Sequence, residues 1–101
     1  MNKLDNLYKI INLLLHLSPE CVDYKTTTEQ KVIEDFVNSF SKQSIAVTLK
    51  EGKEVLAMDP FPWEWIEQMM YTAFNDEEDA KNTLIDILKM LEAEAKKQGK
   101  L

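Results

Sequence analysis

The sequence predicts a mixed α+β fold, predominantly helical, in the order helix, helix, β-hairpin, helix, helix. A chain of 101 residues suits one small globular domain, which is expected to span residues 1–101. Two glycines and three prolines leave little material for loops, which favours helices with short connections. Between residues 44 and 58 the period of the apolar residues changes to one that favours strands.

The first two helices are predicted from apolar residues at helical spacing. Residues 5–17 form a helix that is apolar on several sides, and Pro19 prevents its continuation. The second helix follows the threonines at 26–28, where Thr27 and Gln30 are placed to form a capping box. Its apolar face consists of Val32, Ile33, Phe36, Val37 and Phe40.

A β-hairpin is predicted for residues 44–58. Ile45, Val47 and Leu49 alternate with Ala46 and a threonine, which is the period of a strand. A glutamate–glycine pair follows as the turn, and the six residues after it return as the second strand. Since two strands alone are marginally stable, helices are expected to cover one face of the hairpin.

Two further helices are expected after the hairpin. Residues 59–62 break the strand, and Pro62 suits the first turn of a helix that extends to about Phe74. Asn75, with Glu78 three residues later, is predicted to cap the last helix. The apolar stripe of that helix consists of Ala80, Leu84, Ile87, Leu88, Leu91 and Ala95.

The charge of the chain restricts the partners it is expected to bind. The formal net charge is −6, and all twelve basic residues are lysines. A negative surface repels nucleic-acid phosphates and anionic lipids, so we expect a basic protein partner, no nucleic acid and no membrane. Neither a membrane-length apolar run nor a positively charged signal-peptide start is present, so a cytoplasmic protein is expected.

Residues that usually carry catalysis are few and isolated. Glycine-rich phosphate loops, nucleophile elbows and zinc-ligand spacings are absent from the sequence. His16, surrounded by leucines, is expected at the edge of the core with its ring satisfied, and Cys21 is expected to be a small, partly buried apolar residue. The acids at 76–79 lack the spacing and the glycine of a calcium loop. We therefore expect no catalytic residue, no metal, no cofactor and no enzymatic activity.

The most unusual composition lies between Glu54 and Ala80, which we call the acidic segment. It contains eight acids and no lysine, so its formal charge is −8 and the rest of the chain carries +2. Trp63 and Trp65 lie about 200° apart around a helix, so one stripe cannot contain both. Trp63 is expected in the core, and Trp65 is expected to be partly exposed or covered by the hairpin.

Two interpretations of the acidic segment remain open. It can be an amphipathic helix whose aromatics are all in the core, with a solvated acidic side. Alternatively it binds a basic protein, because clustered acids accelerate association with basic partners. On the second interpretation the partner-binding residues are Asp59, Trp63, Glu64, Trp65, Glu67, Tyr71, Asp76, Glu77, Glu78 and Asp79.

Two stretches carry a family resemblance: residues 59–66, Asp-Pro-Phe-Pro-Trp-Glu-Trp-Ile, and residues 74–80, Phe-Asn-Asp-Glu-Glu-Asp-Ala. From Asp59 to Leu91 the chain resembles the immunity proteins of bacterial contact-dependent growth inhibition systems. The resemblance implies a cytosolic protein that binds the C-terminal toxin domain of a surface effector, often a nuclease, and covers its basic active site. The alternatives are an acidic adaptor or regulatory protein, or a subunit that docks through its apolar first helix.

Overall fold

The computed structural model describes residues 3–19 and 22–101, in which a short 3-10 helix precedes five α-helices. The 3-10 helix is Lys3–Asn6, and the α-helices are α1 (Tyr8–His16), α2 (Glu29–Ser39), α3 (Lys42–Leu56), α4 (Trp63–Met70) and α5 (Glu77–Lys97). These described residues contain no strand, and none of their helices is both long and apolar enough to cross a membrane. Cys21 lies outside the described residues, so the expectation for it stays a prediction.

The predicted β-hairpin, and with it the α+β fold class, is wrong, because its residues form α3. Ser41 caps this helix, and its hydroxyl accepts a hydrogen bond from the backbone N–H of Ser44 at 3.2 Å. Ile45 and Leu49 are buried, whereas Val47 between them is 39% exposed. Residues four apart share a helix face, while a strand would have placed all three side chains on one side. The apparent alternation therefore consists of two residues on one helix face, Ile45 and Leu49, with the exposed Val47 between them in the sequence.

The glycine predicted for the hairpin turn lies inside α3, where the helix crosses α5. Gly52 is buried, and a Cβ atom built on it would lie 2.5 Å from Cδ2 of Leu88. Any side chain at this position would therefore separate the two helices or displace Leu88. Close packing against Leu88, and not a turn of the chain, accounts for glycine at position 52.

All five α-helices contribute to one hydrophobic core. α1 packs against α2, α3 and α4, and α5 packs against the same three helices. The largest fully buried side chains include, from α1 and α5, Ile10, Leu13, Leu14, Leu84, Ile87 and Leu91. The apolar face of α1 is thus inside the protein itself.

α1 is shorter than predicted, and its first turn is capped by another helix. It begins after Leu7, which makes no side-chain capping bond. Oε1 of Glu51, on α3, accepts hydrogen bonds from the backbone N–H groups of Lys9 at 2.9 Å and Ile10 at 3.1 Å. A carboxylate also stabilises the positive end of a helix dipole. The α3 helix therefore fixes where α1 starts.

The end of the chain ties α5 to α2. Nζ of Lys100 donates hydrogen bonds to the carbonyl oxygens of Val37 and Phe40 at the C-terminal end of α2. Further along α5, the carboxylate of Glu94 is 5% exposed and accepts hydrogen bonds from the side-chain amides of Gln30 and Gln98. Both polar contacts satisfy groups that the packing of α2 on α5 removes from water.

Candidate partner-binding surface

The helix that carries both tryptophans, α4, is short and ends at a left-handed residue. It buries Ile66 and Met70. Tyr71 then adopts φ 51° and ψ 43°, and its side chain is 61% exposed. The helix was predicted to reach Phe74, so it stops four residues earlier than expected. The left-handed turn places Tyr71 at the surface, at the start of the connection to α5.

Both tryptophans are half-buried, and both pack against the core. Trp65 was expected to be partly exposed or covered by the hairpin, whereas Trp63 was expected in the core. The difference follows from the position of α4, which packs against α1 and also against α5. A helix with neighbours on two sides can half-bury side chains that lie about 200° apart.

Glu67 holds the connection between α4 and α5. Its Oε2 accepts a hydrogen bond from the backbone N–H of Phe74 at 2.7 Å, and its carbonyl oxygen accepts one from the N–H of Thr72 at 3.2 Å. The hydroxyl of Thr72 donates to the carbonyl oxygen of Met70 at 3.1 Å. This predicted partner-binding acid therefore has a structural role of its own.

The start of α5 uses two of the four consecutive acids as caps. Oδ1 of Asp76 accepts from the N–H of Asp79 at 2.8 Å, and Oδ2 of Asp79 accepts from the N–H of Asn75 at 3.0 Å. The helix is thus capped by Asp76, one residue after the predicted cap. Glu77 and Glu78 are exposed in the first turn, where the helix dipole favours negative charge.

The exposed acids of the acidic segment have no lysine partner within the described part of the chain. The ion pairs of the described residues all lie outside this segment. They join Lys31 to Glu34 and Asp35, and Lys96 to Glu92. Lys81, which follows the segment directly, has its Nζ 5.9 Å from the ring centroid of Phe61 rather than beside a carboxylate. Among the side chains that the structure describes, no lysine neutralises the negative charge of these acids through an ion pair.

The predicted site residues, which together we call the α4–α5 surface, lie on α4, at the start of α5 and in the loops beside α4. Asp59 precedes α4 and Tyr71 follows it directly. The exposed ones are Asp59, Glu64, Tyr71, Asp76, Glu77 and Glu78, and the half-buried ones are Trp63, Trp65, Glu67 and Asp79. Three α4 residues of this set share a surface depression of about 460 Å³, lined by Trp63, Glu64, Glu67, Gln68, Thr72 and Ala73. Gln68, Thr72 and Ala73 were not predicted, because residues of such ordinary chemistry give no sequence signal of a site.

Surfaces elsewhere on the protein have different chemistry. The ring of His16 is satisfied as expected, since its Nδ1 lies 2.7 Å from the carbonyl oxygen of Asn12 and it packs edge-on against Phe36 and Phe40. A groove of about 600 Å³ runs beside α3, where apolar residues are mixed with two lysines and two acids, Lys50, Lys53, Glu54 and Glu92. No group of side chains among the described residues could hold a metal ion.

Comparisons with known proteins do not assign this chain to a family. No family model, no curated protein and no solved structure matches it. A function of this surface is therefore inferred from its own residues.

Proposed function

We propose that this chain is an immunity protein that acts in the cytoplasm. It binds and neutralises the C-terminal toxin domain, a nuclease, of a contact-dependent growth inhibition effector by covering its basic active site. One observation carries the proposal: the exposed carboxylates of Asp59, Glu64, Glu77 and Glu78 have no lysine partner among the described residues. A nuclease cleft is basic because it holds phosphates, so an acidic surface complements it.

The fold accounts for some of the acids in this segment but not for all. Glu67, Asp76 and Asp79 each accept a backbone hydrogen bond that fixes the α4–α5 connection or the start of α5. The helix dipole accounts for part of the preference for Glu77 and Glu78. No such contact within the described part of the chain accounts for Asp59, and clustered like charges are unfavourable in the free protein. Recognition of a basic partner supplies the compensating interaction.

The structure does not favour the alternative in which α1 docks onto a larger complex. The apolar residues that suggested it, such as Ile10, Leu13 and Leu14, are fully buried in the protein's own core. An acidic adaptor or regulatory protein would use the same α4–α5 surface and would differ in the identity of its partner. Experiments with a toxin domain separate these two possibilities.

The proposal predicts that an effector with a C-terminal toxin domain is encoded next to this gene, and the direct test is co-expression with that domain. We expect the protein to restore growth of cells that express the toxin domain and to co-purify with it as a stable complex. A toxin domain that kills cells equally with and without this protein would overturn the proposal.

A charge variant tests whether the acidic surface makes the contact. Replacing Glu64, Glu77 and Glu78 by glutamine changes the net charge from −6 to −3. We expect association with the toxin domain to slow by about tenfold at low salt, with a weaker salt dependence, because steering depends on local charge. Stopped-flow fluorescence of the tryptophans measures the rate.

The matched control removes the same number of charges from exposed positions outside the acidic segment. It carries Glu29→Gln, Asp35→Asn and Asp86→Asn, also has a net charge of −3, and should associate close to the wild-type rate. Equal slowing in both triple variants would show that net charge alone matters, and the α4–α5 surface would then lose its assigned role.

A further inference from the structure

We propose that the depression beside Trp63 receives one arginine side chain of the partner. This inference rests on the proposed function, because it names the chemical group that the acidic surface recognises. The depression has a volume of about 460 Å³ and is lined by Trp63, Glu64, Glu67, Gln68, Thr72 and Ala73. Its walls combine an indole ring with two carboxylates, which together suit a planar cation.

The helical spacing of α4 places these groups on one face. Trp63 and Glu67 are four residues apart, as are Glu64 and Gln68, so each pair lies on adjacent turns. Thr72 and Ala73 close the depression from the connection to α5, which Glu67 holds through the N–H of Phe74 at 2.7 Å. The depression is therefore present in the protein without a partner.

The polar atoms of the depression are mostly hydrogen-bond acceptors. Oε2 of Glu67 is occupied by the N–H of Phe74, which leaves Oε1 as an acceptor. The Thr72 hydroxyl gives its hydrogen to the carbonyl oxygen of Met70, so its lone pairs are left to accept. Glu64 is exposed and adds a second carboxylate. A guanidinium offers five donors and no acceptor, which complements this set.

The charges also favour a cation. Glu64 and Glu67 are three residues apart on one helix, so they are neighbours on its surface and their like charges repel each other. No lysine of the described residues forms an ion pair with either of them. Arginine fits better than lysine because its plane stacks on an indole while its N–H groups reach a carboxylate in pairs.

A peptide titration tests the site without the toxin. The probe is the blocked tripeptide acetyl-Gly-Arg-Gly-amide, added to the nitrogen-15-labelled full chain and followed by NMR. We expect saturable shifts of the Trp63 indole N–H and of the Glu67 and Ala73 amides, with little change at the Trp65 indole. The corresponding lysine peptide should bind several-fold more weakly, and the neutral citrulline peptide should produce no saturable shift.

Two variants test whether the arginine peptide binds at this depression. Glu64→Gln should weaken binding of the arginine peptide by about three- to tenfold, because a charge-assisted hydrogen bond at a partly exposed site is lost. Asp86→Asn removes the same charge elsewhere and should leave binding unchanged. Equal binding of the arginine, lysine and citrulline peptides, or shifts centred away from Trp63, would overturn the proposal.

The same measurements separate this inference from the proposed function. If the arginine peptide binds at Trp63 as described but the toxin domain is not bound, the site stands and the toxin assignment fails. If the toxin domain is neutralised and Glu64→Gln leaves its affinity unchanged, the function stands and the arginine site is wrong.

Discussion

At Gly52, a single missing side chain sets how closely two helices approach. A Cβ atom there would lie 2.5 Å from Cδ2 and 2.9 Å from Cδ1 of Leu88, and Leu88 belongs to the core. Glycine otherwise weakens a helix, by about 1 kcal/mol relative to alanine. The position therefore balances helix propensity against packing, and the two effects can be separated experimentally.

The variant Gly52→Ala should lower the free energy of unfolding by about 1 kcal/mol, because overpacking a core costs about 1–3 kcal/mol and exceeds the gain in helix propensity. In a Leu88→Ala background the obstruction is gone, so the same substitution should raise stability by about 0.5–1 kcal/mol. Urea unfolding of the four proteins of this cycle measures both values.

Gly99 provides the control for this cycle. Its φ is +74° and a Cβ atom would meet nothing within 4 Å, so alanine there is unfavourable for backbone reasons alone. The cost of Gly99→Ala should be the same in the wild-type and in the Leu88→Ala background. If Gly52→Ala also costs the same in both backgrounds, the close packing of α3 on α5 is wrong.

At the scale of elements, the sequence predicted four helices correctly in kind and failed at α3. Helical spacing of apolar residues was enough for α1, α2 and α5, and the break at residues 59–62 with Pro62 indicated α4. In α3 the β-branched Ile45, Val47 and Thr48, followed by a glycine, carry a local preference for strand and turn. Tertiary packing overrides that preference, because the helix buries Ile45, Thr48, Leu49, Gly52 and Val55 against its neighbours.

The sequence indicated which residues of the candidate surface are exposed, but not which of them make structural contacts. The exposure of Glu64 and Glu77 follows from amphipathicity and from the helix dipole. The structural role of Glu67 depends on where the loop after α4 returns, and local spacing does not determine that path. The role of Asp79 is a local capping contact with Asn75, which was missed because the cap was predicted one residue too early. For the same reason, no pattern in the sequence indicated that Thr72 would line a depression with α4 residues.

The start of α1 illustrates a boundary that is determined by another element. Glu51→Ala should lower the free energy of unfolding by about 1–2 kcal/mol, because two backbone N–H groups of α1 lose their charged acceptor. Amide hydrogen exchange at Lys9 and Ile10 should accelerate in the same variant. Glu51→Gln should show a smaller loss, since its amide oxygen can still accept.

The control for this prediction is Glu54→Ala, which removes a half-buried acid from the next turn of the same helix. It should leave exchange at Lys9 and Ile10 unchanged. Comparable acceleration of these amides in both variants would mean that Glu51 does not cap α1.

At the scale of the whole molecule, polar contacts at the end of the chain join helices that are distant in sequence. Lys100 reaches the carbonyl oxygens of Val37 and Phe40, and Gln98 reaches the carbonyl oxygen of Glu34 at 3.3 Å. Because α5 also packs on α3 and α4, a substitution at this end should lower the stability of the whole core. The tryptophans of α4 report on that core from a different helix.

The variant Lys100→Met should therefore destabilise the protein as one cooperative unit. We expect a loss of about 1–2 kcal/mol, since carbonyl oxygens at the end of α2 lose a charged donor. Far-UV circular dichroism, which reports all helices, and tryptophan fluorescence, which reports α4, should shift to lower urea together. The control Lys97→Met changes an exposed lysine of the last turn of α5 and should shift neither curve. If the dichroism transition of Lys100→Met precedes the fluorescence transition, α2 and the end of α5 unfold separately, and a single cooperative domain is excluded.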